Sequence, residues 1–231
     1  MNANKVCFML LVFLMSGLTG VAAFAAGAGE VVNLSGTLSV QRPDGAILAL
    51  GQKSEVKPGD VLTTQKDSYA QINFSDGSSM TMRPHTQMRI ETYQFVQDKP
   101  QADSAFFRLI KGGLRTVTGL VGKRGNQDAY RIGTATATIG IRGSMGDTMA
   151  CAPSCDGVVK GGDKLPPGTH HQTHSGSFTM HTGDKIVVIN EGYSGYSDGF
   201  DIRVTKGGIG GGIVDLYVPS GAGLKGSACK P

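Results

Sequence analysis

Three groups of residues in this sequence have the types and spacing that chemistry uses. Cys151 and Cys155 are followed, fourteen residues on, by His170 and His174, which matches the loose spacing of a zinc site. Gly140, Gly143 and Gly146 recur at every third position in and just beyond "GTATATIGIRGS", as in a loop that cradles phosphate. Arg142, Gly143 and Ser144 set a cation, a pliable backbone position and a hydroxyl side by side, a candidate binding group.

Each group depends on the element that carries it. A dinucleotide fingerprint needs G-x-G-x-x-G opening a helix, so that the helix N–H groups meet the phosphates. Here the spacing is G-x-x-G-x-x-G, and "DTMACAPSC" follows without an apolar helical stripe. Upstream, Thr134, Thr136, Thr138 and Gly140 alternate with Ala135, Ala137, Ile139 and Ile141. Period two predicts one strand running from Thr134, with the glycines ending it. The Gly-Lys-Ser/Thr of a P-loop does not occur either. The reading therefore excludes nucleotides and expects no cofactor. Arg142 falls at the end of a buried-looking strand, where its ordinary role is to pair with an acid such as Asp147 or to bond loop carbonyls.

A zinc finger needs its two histidines one helical turn apart. Pro166, Pro167 and Gly168 stand just before them, and "THHQTHSGSFTM" reads as a hairpin. On a strand His170 and His174 would lie roughly 13 Å apart, too far to share an ion at about 2 Å per bond. A two-residue Ser175-Gly176 turn would set His170 opposite His181, a pair able to hold a metal. A three-residue turn from His174 would not, and the sequence admits both. No dedicated metal site is expected; His170, His174 and His181 are the candidates if one exists. Nucleophilic catalysis finds no G-x-S-x-G elbow, so an enzyme is not expected.

The elements that position these residues follow from composition. The 231 residues include 35 glycines and no tryptophan, with Thr, Ser and Val abundant. That favours many short strands joined by tight turns, an all-β fold. The net charge of +4 is mild and evenly spread, which argues against nucleic acid as a partner.

The chain opens with a short basic stub, an apolar run from Val6, and small residues leading to Ala23-Phe24-Ala25. This reads as a secretory signal peptide over residues 1–25, cleaved after Ala25, and the chain as periplasmic or secreted. The alternative is an uncleaved anchor, the only expected membrane contact. In an oxidising compartment Cys151 and Cys155 form a local disulfide. Cys7 leaves with the signal, and Cys229 is left unpaired or free to pair between chains.

Two hairpins are specified by local arithmetic. In "LSVQRPDGAILAL" a loop of Pro43-Asp44-Gly45 pairs Val40 with Leu48 and Leu38 with Leu50, with Gly45 in the left-handed position. In "AQINFSDGSSMTM" a loop of Ser75-Asp76-Gly77 pairs Ile72 with Met80 and Ala70 with Met82. Further strands are expected near Val61, over 87–91, 105–110, 113–118, 169–174, 177–182 and 185–190, and from Ile213 to Val218. Residues 104–111 also admit a helical turn. Residues 95–103 read as a surface excursion, and 219–231 as a glycine-rich flexible tail.

The order of these pieces resembles the FecR domain family. "GTLSVQRPDGAILALGQKSEVKPGDVLTT", "SYAQINFSDGSSMTMRPHTQMRI", "LIKGGLRTV" and "YRIGTATATIGIRGS" follow the family's succession of strands, F-x-D-G-S hairpin and closing R-G-T, over about residues 35–150. Gly143-Ser144 stands where the family has Gly-Thr. The resemblance implies a solenoid-like or sandwich-like β domain over 30–150, with 151–218 as a β extension bearing the cysteine loop and the histidines. It also implies an exported, non-enzymatic binding or signalling-accessory module of a bacterial envelope. Its partner would be another envelope protein or a surface polymer. Only five residues precede the apolar run, so the cytoplasmic sigma-binding segment of the family's regulators is not expected to carry over. The alternative is a metal-binding envelope protein built on His170 and His181.

Overall fold

The computed structural model describes residues 27–126 and 128–211. The expected signal segment, the strand at Ile213–Val218, the tail and Cys229 lie outside the described residues. Seventeen strands form among the described residues. The first eight are β1 (Gly29–Ser35), β2 (Leu38–Gln41), β3 (Ile47–Leu50), β4 (Glu55–Val56), β5 (Val61–Thr64), β6 (Tyr69–Phe74), β7 (Ser79–Met82) and β8 (Gln87–Gln94). Next come the long β9 (Ser104–Val117), β10 (Tyr130–Gly133), β11 (Thr138–Ile141) and β12 (Met145–Cys151). The last are β13 (Gly168–Ser175), β14 (Ser177–Thr182), β15 (Lys185–Asn190), β16 (Tyr193–Ser197) and β17 (Ile202–Lys206).

The strands make two layers. One runs β4, β1, β6, β7, the second half of β9, β12, β13, β16 and β17, all antiparallel. The other runs β3, β2, β5, β8, the first half of β9, β10, β11, β14 and β15. In the second layer β9 and β10 are parallel, joined by the long connection that a parallel pair requires. β9 belongs to both layers because it turns at Gly112, whose φ of 94° a side-chain-bearing residue rarely adopts. A Cβ there would also lie 2.4 Å from the Thr86 hydroxyl oxygen. Residues 104–111 are thus strand. Apolar residues at period two, packed between two layers, prevail over any local helical tendency.

Val31, Ile72, Met80, Met82 and Leu114 from one layer meet Leu38, Met88, Ile90, Phe107 and Ile139 from the other in one core. Phe107 joins Phe74 edge-on at 5.0 Å and Tyr130 at 5.4 Å, geometries that suit the aromatic quadrupole. Both hairpins have the expected registers, Val40 with Leu48 and Ile72 with Met80, with Gly45 and Gly77 at φ of 88° and 80°.

Two strand expectations are corrected. The alternating run from Thr134 is not one strand: Thr134 to Ala137 is a tight turn, closed by the Thr134 N–H on the Ala137 carbonyl, and β10 and β11 flank it. The Thr134 hydroxyl also bonds the Ala137 carbonyl, a local bond that competes with an extended backbone. The histidine stretch is not a hairpin either. β13 pairs with β12 and β16 in one layer, whereas β14 pairs with β11 and β15 in the other. The chain crosses between layers at Gly176, with φ of 73°.

Candidate functional site

The crossing at Gly176 sends the histidines to separate places. His170 faces outward, opposite Met149 and Tyr196, with its ring 4.7 Å from Tyr196 and its Nε2 2.9 Å from the Pro166 carbonyl. His181 sits in the other layer opposite Thr138 and Ile186, its Nε2 3.0 Å from the Thr179 hydroxyl. The pairing of His170 with His181 on which a metal site would rest is therefore not made. Among the described residues no cluster of His, Cys, Asp and Glu could hold an ion. Cys151 and Cys155 are bonded to each other, with Cα atoms 4.7 Å apart.

His174 has a different partner. On the outer face of the first layer Thr81, Arg115, Asp147 and Gln172 stand in one row across four strands. Asp147 is fully buried and takes two bonds from Arg115, Nε to Oδ1 at 2.9 Å and Nη2 to Oδ2 at 2.8 Å. His174 Nε2 approaches Oδ2 at 2.7 Å, and the buried guanidinium of Arg83 lies 3.5 Å away. Burial opposes the charge on Asp147, but the bonds from His174 and Arg115 and the field of Arg83 outweigh it. They hold the carboxyl well below the usual carboxylate range.

A carboxylate so saturated is a poor general base; the cluster is a structural lock. Over the same face residues 152–167 form a cap, in which Cys155, Val158, Val159 and Leu165 pack with Met149, Cys151 and Ile209. Sequence reasoning passed over Arg83 and Arg115, which gather around Asp147 only through strand pairing. Their one signal in the sequence is charge on or just beside strands otherwise rich in apolar and hydroxyl residues.

Arg142 is exposed and faces Asp128 at 3.7 Å, so its expected partner Asp147 is engaged elsewhere. Ser144 is buried. Its hydroxyl donates to the Ser177 carbonyl at 2.6 Å and accepts the Ser177 N–H at 3.0 Å, tying the β12 entry to the layer crossing. Arg142 and Ser144 therefore point to different environments, with Gly143 turning the chain between them at φ of 71°.

What the fold offers outward is its edges. β3 pairs only with β2, β15 only with β14 and β17 only with β16 among the described residues. On β3, Ile47 is 71% exposed and Leu48 50% exposed. Such an edge presents unpaired N–H and C=O groups beside apolar side chains, the template for strand addition. At the far end of the same layer Ile186 and Val188 of β15 are exposed as well.

Residues 60–152 match the family described as FecR protein. The match runs from β5 through β12, so it contains the double-layer strand β9 and Arg83, Arg115 and Asp147, while His174 lies beyond it. The edge strands β3, β15 and β17 lie outside it. Two crystal structures of a candidate anti-sigma factor from Parabacteroides distasonis ATCC 8503 are similar at 10% identity, with TM-scores of 0.47 and 0.46. The similarity covers 64% of this chain and 59% of that protein's. No curated protein matches the chain. No described helix is long and apolar enough to cross a membrane.

Proposed function

We propose that this chain, which carries a FecR domain over residues 60–152, is an exported, non-enzymatic binding module of the bacterial envelope. It takes an extended apolar segment of another envelope protein onto the free edge of β3. The observation that carries this reading is the state of that edge: Ile47 and Leu48 are exposed on a strand paired on one side only. An uncharged exposed edge invites pairing unless a partner uses it. The family supports a signalling-accessory role; export rests on the basic stub, apolar run and Ala23-Phe24-Ala25 of the first 25 residues.

A photo-crosslinking residue placed at the exposed Ala49 and activated in intact cells tests the edge. A discrete protein adduct that disappears when Ile47→Lys and Leu48→Lys are added supports the reading. Adducts that survive those changes, or that form only with surface polymer, overturn it. Cell fractionation with mass measurement of the exported chain checks cleavage after Ala25.

A further inference from the structure

The outer face of the second layer gathers cations that lie far apart in the sequence. On β9, Ser104, Phe106 and Arg108 alternate with the buried Ala105, Phe107 and Leu109, so they point outward. Arg89 does the same on β8, between the buried Met88 and Ile90, and Arg131 on β10, between Tyr130 and Ile132. In the register of the layer Arg89 stands directly opposite Arg108, and Arg131 directly opposite Phe106. Three exposed cations therefore share a strip three strands wide, roughly 10 Å across at about 4.8 Å between strands.

Like charges directly opposite one another destabilise a sheet, and one carboxylate offsets them here. Glu91 accepts a bond from Arg108, Nε to Oε1 at 2.9 Å. Among the described residues Arg89 and Arg131 make no ion pair. Arg108 and Arg131 are held instead by Phe106, their guanidinium carbons 5.3 and 5.4 Å from its ring centroid. Such a contact fixes a guanidinium without neutralising it and leaves its in-plane N–H groups for an anion. Gly133, opposite Arg108, makes room for the ring, because a Cβ there would lie 2.9 Å from Phe106 Cε2. Beside the ring stand two hydroxyls, Thr92 and Ser104, 3.4 Å apart.

The position of the strip limits what it can recognise. β8 is paired with β5 and β9, the first half of β9 with β8 and β10, and β10 with β9 and β11. Their backbone groups are spent in the layer, so no peptide can add here as a strand. Recognition falls to the side chains: guanidinium forks that match carboxylates, two hydroxyls, and a half-buried aromatic ring.

We infer that this strip binds a carboxylated polysaccharide. The carboxylates of the polymer sit on Arg89, Arg108 and Arg131, which supply the complementary charge, and its sugar hydroxyls meet Thr92 and Ser104. A flat strip suits an extended polymer, whereas an acidic peptide would gain no backbone pairing on it. The strip lies on the face of the layer and the β3 site on its edge, so the inference stands or falls independently of the proposed binding role.

Titration of the purified full chain with polygalacturonate tests it, with dextran as the neutral polymer and polyglutamate as the acidic peptide. Saturable binding to polygalacturonate that weakens with added salt is expected, and none to dextran. Arg89→Gln with Arg131→Gln should weaken that binding about tenfold or more. Lys99→Gln with Lys160→Gln removes the same charge from exposed sites elsewhere and should change it less than about twofold. Phe106→Leu keeps all three cations but releases two of them, and should weaken binding about threefold. Unchanged denaturant midpoints show that the variants fold. An unaltered chain that ignores polygalacturonate overturns the inference, as does an equal loss in the lysine variant, which would make net charge the cause. Polyglutamate binding as tightly as polygalacturonate overturns it in favour of an acidic protein.

Discussion

His171 of β13 and Phe178 of β14 face one another across the two layers, with ring centroids 4.2 Å apart. They are near neighbours in sequence, yet each belongs to a different sheet, because the chain changes layer at Gly176 between them. His171 is fully buried, and its Nδ1 lies 3.0 Å from the Thr148 hydroxyl. Burial pushes its pKa down from 6.5 to about 3, although Asp147 opposes the shift. The imidazole is therefore neutral in the fold.

That burial makes stability depend on pH. Below pH 6.5 the unfolded chain binds a proton at His171 that the folded chain refuses, so stability rises with pH across this window. The contribution is complete above pH 6.5 and is lost progressively as pH falls toward about 3. Between pH 7.5 and pH 5 the loss amounts to about 2 kcal/mol from this group. Urea unfolding across that range should show the slope, and His171→Gln should flatten it.

Asp147 acts at lower pH and more severely when removed. Its folded pKa lies below the unfolded value of 3.8, so its contribution is present above that value and is lost as pH falls beneath it. Asp147→Asn removes the carboxylate that faces the buried Arg83, and breaking a buried ion pair of this kind costs about 3–5 kcal/mol. Arg115→Gln should cost less, because Asp147 keeps the bond to His174 and the field of Arg83. Denaturant midpoints at constant slope separate the two.

The disulfide acts on the cap. Cys151 and Cys155 are four residues apart, and closing so short a loop is worth about 2 kcal/mol on the chain-entropy account. Cys151→Ser with Cys155→Ser should lower thermal stability modestly and open residues 152–167 to protease first. Cleavage inside β6 or β7 at the same protease dose would show instead that the cap is integral to the sandwich.

Gly146 of the glycine run and Gly45 of the first hairpin are distinguishable by substitution. A Cβ on Gly146 would meet the Gln172 carbonyl oxygen at 2.7 Å and the rings of His171 and Phe178 at 2.9 Å. Gly146→Ala should therefore cost about 1–3 kcal/mol through overpacking. At Gly45 a Cβ meets nothing within 4 Å, but φ is 88°. Gly45→Ala should cost about 1 kcal/mol through backbone strain alone. Thermal unfolding of the two variants checks the order.

Local chemistry was legible from residue order. The turns at Pro43-Asp44-Gly45 and Ser75-Asp76-Gly77 set two registers correctly, because turn geometry and a period of two depend only on neighbours. The Cys151–Cys155 bond was likewise legible from the short spacing of the two cysteines. Alternation over Thr134 to Ala137 misled, since a turn closed by a threonine hydroxyl preserves the same pattern of residue types.

By itself the sequence determined that this protein is all-β and where two of its hairpins turn. Only the tertiary structure decided the fates of His170, His171, His174 and His181. One lies under the cap, one is buried in the core, one is bound to Asp147 and one stands in the other layer. The physical reason is that hairpin registers are set by backbone geometry over a few residues. The surroundings of a side chain in a two-layer sandwich are set by strands far away in the chain, and which layer β14 joins turns on a single crossing at Gly176.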